Sequence, residues 1–212
     1  MLVDLYCSGP AFTNTLVIAC EKTRQAAVID AAAGSIEHVA DVVKAQNLMP
    51  VMLLLTHSHW DHFADAAKIK ARWNLPVYVH PADAPNLRKP GVDGFPLFID
   101  IEPVEPDHDF QDGGVIELGE LKIQVIHTPG HSPGGVSLYI PSEHLLISGD
   151  TLFKGSIGRL DFPHSEPDKM WASLERLATL PPETQVIPGH GETTTIGDES
   201  WLKNAKQHFG ES

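Results

Sequence analysis

The sequence predicts an α/β fold in one domain spanning residues 1–212, and three observations carry that expectation. Brief apolar runs rich in β-branched residues alternate with segments whose apolar positions recur at helical spacing. No low-complexity stretch or shift of composition divides the chain. With 42% hydrophobic and 20% charged residues, 212 residues are enough to bury one sizeable core. In order, residues 2–7, 15–20 and 26–30 read as strands separated by Gly, Pro, Asn or charged turns, an opening antiparallel sheet. Ile36, Val39, Ala40 and Val43 then fall at helical spacing behind a Gly-Ser start, and Pro50 separates that helix from the apolar run 51–55, a buried strand. A helix over 62–73 and a short strand at 77–79 follow. Between 84 and 112, Pro85, Pro90, Pro96, Pro103 and Pro106 among many acids oppose a long helix and a central strand. Loops of this kind often cover sites; here the composition favours a solvated connection with short edge pairing. Beyond it, Gly119-Glu120 joins two alternating strands as a two-residue hairpin turn. Strands continue over 136–140 and 144–147, Trp171, Leu174, Leu177 and Ala178 mark a helix, 185–187 a strand, and 199–209 a last helix.

Fifteen basic against 28 acidic residues leave a formal net charge of −13, which repels polyanions and argues against a nucleic-acid partner. No apolar run approaches the roughly 18 residues that span a bilayer, and the start MLVDLYCSGP has neither a basic region nor a long apolar one. No membrane partner and a cytoplasmic location are therefore expected. Cys7 and Cys20 are expected as reduced thiols, small core residues of apolar strands rather than reactive groups. The outlying count is twelve histidines, and their positions decide what they are for.

Thr56-His57-Ser58-His59-Trp60-Asp61-His62 directly follows the apolar run 51–55. At this chain's His and Asp frequencies, the pattern HxHxDH arises by chance in roughly three of a thousand such chains. His57 and His59, two apart, point the same way from extended backbone, while Asp61 and His62 lie at the turn into a helix. Imidazole nitrogen and carboxylate oxygen suit Zn²⁺, Mn²⁺ or Fe²⁺, and the lack of paired cysteines disfavours a closed structural zinc site. Three more candidates follow apolar strands in the same manner. These are His131 in Thr128-Pro129-Gly130-His131-Ser132-Pro133-Gly134, Asp150 in Gly149-Asp150-Thr151, and His190 in Pro188-Gly189-His190-Gly191. At each strand end, small or φ-restricted residues turn the chain and present one His or Asp above the sheet edge.

In this order, HxHxDH, TPGHSPG, SGDTLF and PGHG resemble the metallo-β-lactamase superfamily and, within it, the short bacterial glyoxalase II-like (hydroxyacylglutathione hydrolase-like) thioester hydrolases. Asn14-Thr15-Leu16-Val17-Ile18, Val28-Ile29-Asp30, residues 152–162 and Thr194-Thr195-Ile196-Gly197 extend the resemblance over nearly the whole chain. It implies an αβ/βα sandwich of two mixed sheets with outer helices. It also implies two divalent metal ions, zinc first, with iron or manganese as alternatives. His57, His59 and His131 would bind one, Asp61, His62 and His190 the other, and Asp150 would bridge them, a carboxylate having one oxygen for each cation. The implied reaction is hydrolysis of a small-molecule thioester, foremost an S-acylglutathione such as S-lactoylglutathione, to a hydroxy acid and a thiol. Two metals about 4 Å apart lower the pKa of a shared water toward about 7, giving a bridging hydroxide, and polarise the carbonyl it attacks. Asp61 is the implied catalytic residue, orienting that hydroxide; a thiolate of parent pKa about 8.5 leaves without a dedicated acid. Arg159 and Lys154 are the implied substrate-binding cations.

Three features depart from the long glyoxalase II pattern. The chain ends at residue 212, only 22 residues past His190, so the helical C-terminal domain of the long enzymes is expected to be missing. Asp161 stands where an aromatic hydroxyl helps in those enzymes. Gly158-Arg159-Leu160-Asp161-Phe162 also resembles the iron-dependent persulfide dioxygenases, which keeps a mononuclear iron enzyme as the alternative and a non-catalytic metal-binding interaction module behind it. A monomer or small homo-oligomer is expected. His80 and His127 are candidates to support the ligands from behind, whereas His38, His108, His144, His164 and His208 lack ligand spacing and are expected to be solvated. Two divalent cations would bring the charge of −13 to about −9, so the mouth of the site need not repel an anionic thioester.

Overall fold

Two six-stranded mixed sheets lie face to face in the computed structural model, which describes residues 1–210. The three opening apolar runs form β1 (Leu2–Ser8), β2 (Thr13–Ala19) and β3 (Gln25–Ile29), each antiparallel to the one before. β2 is buried along its whole length because both faces of the sheet are covered, which is why its sequence is a continuous apolar run and not an alternating one. Leu16 and Ile18 face the second sheet; Val17 and Ala19 face the outer helices.

The helix α1 (Ser35–Ala45) crosses to β4 (Met49–Leu54), which lies parallel to β3. Pro50 lies inside β4, at the point where the ladder to β3 shifts register, an irregularity that tolerates its missing N–H. The helix expected over 62–73 is split into α2 (Trp60–Phe63) and α3 (Ala66–Trp73). The Asp65 N–H donates to the Ala31 carbonyl (2.9 Å), and the Asp65 carboxylate accepts from the Gly34 and Ile36 N–H groups. Tertiary bonds to the turn before α1 thus interrupt the helix that periodicity alone would have continued. β5 (Val77–Val79) and β6 (His108–Asp109) complete the first sheet, both in parallel. The connection between them is not merely solvated. It contains α4 (Ala84–Arg88), with Pro85 in the first turn where an N–H has no helical partner, and it buries Leu87 and Val104.

The second sheet opens with the expected hairpin, β7 (Val115–Leu118) and β8 (Leu121–His127). Gly119 takes φ +60 at the first central position of the turn, and a Cβ there would overlap the Thr23 hydroxyl; only glycine fits. β9 (Val136–Ile140) and β10 (Leu145–Gly149) continue antiparallel, His144 turning at φ +48 instead of opening the strand. The small hairpin β11 (Leu152–Phe153) and β12 (Ser156–Ile157) precedes α5 (Pro167–Leu177). β13 (Gln185–Pro188) joins β10 in parallel, and β14 (Thr194–Thr195) forms the edge. The last helix is shorter than expected, a 3-10 turn at Leu202–Asn204 followed by α6 (Ala205–Phe209).

Leu16, Ile29 and Leu54 of the first sheet meet Ile123, Leu138 and Ile147 of the second in the central core. Val39, Phe63, Ile69 and Leu87 cover the first sheet's outer face over Val28 and Leu53, while Met170, Leu174 and Leu177 of α5 cover Leu146 and Val186. Each such side chain contributes about 1.5–3 kcal/mol on burial, and the result is the αβ/βα sandwich. Cys20 is a buried free thiol, but Cys7 is exposed on the edge strand β1 and is not a core residue. Among the described residues no helix is long and apolar enough to cross a membrane.

Candidate metal centre

β4, β8, β10 and β13 all end at one edge of the sandwich, and each is followed by its candidate ligands: His57 and His59 in the turn after β4 with Asp61 and His62 in the first helical turn beyond it, His131 after β8, Asp150 after β10, His190 after β13. Cross-sheet bonds fix these ends together. The Val136 N–H donates to the Thr56 carbonyl (2.9 Å), and the Asn14 side chain donates to the Pro188 carbonyl (2.9 Å). Gly189 is required here by close approach, since a Cβ would overlap Asp150 Oδ1 and His62 Cε1.

The turns bring all seven candidates together in three overlapping groups, His57/His59/His131, His57/His62/Asp150 and Asp61/His62/His190, with ligand atoms in each within 4.8 Å of one another. His57 Nε2 lies 3.1 Å from His59 Nδ1, which lies 2.8 Å from His131 Nε2. His62 Nε2 lies 3.2 Å from His190 Nε2 and 3.4 Å from Asp61 Oδ2. Asp150 stands between the two sets, Oδ1 at 3.4 Å from His62 Nε2 and Oδ2 at 3.3 Å from His131 Nε2 and 3.5 Å from His190 Nε2. Donor atoms on a tetrahedral cation with bonds of about 2.1 Å are about 3.4 Å apart, so these spacings suit cation ligands. Asp150 Oδ1 is buried without a hydrogen-bond partner, a state that costs about 1–3 kcal/mol and that a divalent cation would relieve. The residues present fit a divalent metal.

Five of the seven candidate ligands are aimed by a bond at their far side. His62 Nδ1 meets Asp30 Oδ2 at 2.8 Å, and the Thr56 hydroxyl donates to the same oxygen at 2.8 Å while facing His57 Nδ1 at 3.2 Å. Asp30 therefore reaches ligands of both sets, from a left-handed φ of +55 at the end of β3. His131 Nδ1 donates to the Arg159 carbonyl (2.9 Å) and His190 Nδ1 to the Ala11 carbonyl (3.1 Å). The Thr13 hydroxyl donates to Asp61 Oδ2 at 2.6 Å. Asp83, buried, accepts from the Ser58 N–H, the Ser132 hydroxyl and the Gly134 N–H, tying the HxHxDH turn to the His131 turn. Sequence reasoning passed over Asp30, Thr13, Thr56 and Asp83 as working residues. Asp30 carried the same signal as the ligands, an acid at the end of an apolar strand.

The electrostatics split the same way. Burial, with neighbouring His62 and His59, holds His57 well below the ordinary imidazole range, and burial with His131 brings His59 to about 3. Burial also opposes charge on His62, but Asp61, Asp150 and Asp30 outweigh it and push the group up to about 9. For His190, bonds to Asp150 and Asp61 outweigh burial and push it up to about 11.

A cavity of about 520 Å³ opens over the cluster, within the roughly 300–1,000 Å³ of small-molecule sites. Trp60, Phe95, Phe98, Phe153 and Phe162 form much of its wall. Phe95 and Phe98 come from the proline-rich connection, so that segment covers the site, contrary to the solvated reading. Arg159 lines the cavity, but its guanidinium is bidentate to Asp161 (2.9 and 2.6 Å) and lies 4.6 Å over the Phe162 ring. Lys154 is outside that lining, exposed and bound to Glu192 at 2.5 Å. His80 and His127 stack on each other at 4.0 Å, and His127 Nε2 donates to the Pro133 carbonyl (3.0 Å), bracing the His131 turn from behind and not a ligand ring.

Known proteins are similar to this chain over most of its length. The family model of the metallo-beta-lactamase superfamily matches residues 8–190. The hydroxyacylglutathione hydrolase GloC of Haemophilus influenzae is 29% identical over 202 residues, 89% of this chain and 91% of the relative. Among solved structures, the BLEG-1 B3 metallo-beta-lactamase is 33% identical with a TM-score of 0.84, covering 93% of this chain and 96% of its own. TTHA1623 in a di-iron-bound form is 37% identical with a TM-score of 0.81 and the same coverage, 93% and 96%. The matched span contains all seven candidate ligands, and the chain belongs to the metallo-β-lactamase superfamily.

Proposed function

We propose that the protein is a dinuclear metal-dependent hydrolase of thioesters, with S-acylglutathiones such as S-lactoylglutathione as the first substrates to test. The observation that carries the reading is Asp150, one carboxylate placed between two ligand sets. The GloC relative supports the reaction class. Zinc is the proposed resident metal, and the di-iron-bound relative supports iron as the alternative. Two divalent cations, when bound, supply an activated water and an electrophile for the carbonyl. The chain's own groups do the rest. Asp61 lines the cavity and is fixed by Thr13; ionised as a carboxylate beside a cation would be, it accepts a hydrogen bond from the attacking water and orients it. His57, His59 and His131 stay neutral, as donors to a cation must. The aromatic wall excludes bulk water. A thiolate leaving group, with parent pKa about 8.5, needs no proton donor from the protein.

The test is thiol release from a panel of S-acylglutathiones and acyl-CoA thioesters by the metal-loaded protein. Release that is abolished by Asp61→Asn and by Asp150→Asn supports the reading. A fully loaded protein that releases no thiol, and instead consumes oxygen with glutathione persulfide, overturns it in favour of the mononuclear iron enzyme.

A further inference from the structure

We infer that substrate selection at this site rests on an apolar group of the thioester, held by the aromatic wall that Phe95 and Phe98 complete, and not on charge in the thiol half; the inference rests on the thioester reading above. The wall is built onto the ligands themselves. Phe95 and Phe162 meet edge to face at 4.6 Å, and each lies 5.3 Å from the His59 ring. Phe162 is also 5.4 Å from the His131 ring, and Phe98 is 5.6 Å from Trp60. An apolar group entering from the mouth therefore meets aromatic surface on the His59 side of the cluster.

Phe98 is 68% exposed although it lines the cavity. A large aromatic side chain left uncovered over a site is apolar area that a ligand can take out of water. The charges point the same way. Among the described residues the one lysine or arginine lining the cavity, Arg159, is already paired through two of its three guanidinium nitrogens with Asp161, and neighbouring Lys154 is held by Glu192. A thiol half carrying two carboxylates, as glutathione does, would have to compete with these carboxylates for the cations, in a chain of net charge −13.

The aromatic segment is also tied to the HxHxDH turn. Asn86 donates to the Ser58 carbonyl, between His57 and His59, and to Asp93 Oδ2 (2.8 Å). Its own carbonyl accepts the Gly91 N–H (2.9 Å), and Asp93 Oδ1 accepts the Phe95 N–H (3.0 Å). Gly91 and Gly94 supply the left-handed turns, φ +84 and +76, that this bracket requires. Phe95 is thereby placed by a bonded frame, while Phe98, beyond it, keeps the mouth apolar.

The experiment is equilibrium binding of hydrolysis-resistant thioethers to the metal-loaded protein by calorimetry, in two series. One varies an alkyl chain in place of the acyl half on a neutral thiol, N-acetylcysteamine; the other carries the same chains on glutathione. Affinity is expected to rise about threefold to fourfold per methylene in both series until the cavity fills, with the neutral series binding at least as tightly. A chain-length dependence confined to the glutathione series would show that the charged thiol half positions the ligand and would overturn the inference. Phe98→Ala and Phe95→Ala are expected to flatten the dependence, Phe98→Ala costing about tenfold for the longest chain. Affinity independent of chain length, tighter binding of the shortest glutathione thioether than of the longest neutral one, or a full chain-length dependence in both variants would each overturn the inference. Thiol release from thioesters with no chain-length dependence would overturn it while leaving the hydrolase reading standing. Chain-length-dependent binding without thiol release would do the reverse.

Discussion

Asp30→Asn is the substitution that most sharply separates a ligand-positioning network from incidental contacts. Two carboxylate oxygens receive three donors: Oδ1 the Thr56 N–H (2.8 Å), Oδ2 the Thr56 hydroxyl and His62 Nδ1 (2.8 Å each). The amide keeps the volume but has one acceptor oxygen, so its NH₂ must face either the Thr56 N–H or the His62 and Thr56 donors. One or two bonds are lost in a site where Asp30 is 1% exposed, at about 1–3 kcal/mol of fold stability. The larger effect falls on the metal. Removing the group behind a ligating histidine typically costs about 10–100-fold in metal affinity, or about 1.4–2.7 kcal/mol at 1.36 kcal/mol per decade. His62 loses its bond directly, whereas His57 is reached only through the Thr56 hydroxyl, so the equivalent bound by Asp61, His62 and His190 weakens first. Competition against a chromophoric chelator, with circular dichroism to confirm folding, measures both equivalents. A folded variant that holds both with wild-type affinity would refute the argument that Asp30 positions the cluster.

Other outcomes follow from the same geometry. Gly189→Ala drives a Cβ onto Asp150 Oδ1 and His62 Cε1, so metal content measured by mass spectrometry should fall below that of wild type although no ligand is removed. Asp83→Ala strands the Ser58 and Gly134 N–H groups in the interior; two unmet donors at about 1–3 kcal/mol each should lower Tm by on the order of 5–20 °C in a thermal scan. Burial and the neighbouring His127 bring His80 down to about 4, below its unfolded value of 6.5. Protons therefore bind the unfolded chain first. The stability is fully present above pH 6.5 and is lost as pH falls from 6.5 toward 4. For this half-exposed group, discounted for solvent screening, the loss is about 1–2 kcal/mol. Denaturant unfolding of the metal-free protein across that range should show a loss smaller by this amount in His80→Gln than in wild type, since His57 and His59 contribute a loss of the same sign in both.

The strands and the ligands were legible because each is a local signal. A continuous apolar run such as residues 51–55 needs no partner to be recognised, and HxHxDH places four ligand candidates in six positions. His131, Asp150 and His190 became legible as a repeated device, a turn of small residues after a strand. What stayed hidden was set by distant partners. Asp65 breaks the helix because its N–H has Ala31 to bond, and nothing in the local periodicity carries that. Cys7 reads as a core residue by composition, yet β1 is an edge strand and leaves it exposed. Arg159 and Lys154 are substrate-binding cations only by resemblance, and folding places Asp161 and Glu192 against them. The prolines of residues 84–112 correctly opposed a long helix, but they could not show that Phe95 and Phe98 would be folded back over the cluster.

The central claim is that two ligand sets sharing Asp150 hold two divalent cations that together support hydrolysis. Metal content per chain, measured on natively expressed protein alongside its rate of thiol release as metal is titrated back into the stripped protein, tests it most directly. Two equivalents per chain, with thiol release reaching its full rate only as the second site fills, is the result expected. Saturation at one equivalent, or full occupancy of two with no thiol released from any thioester, would contradict it.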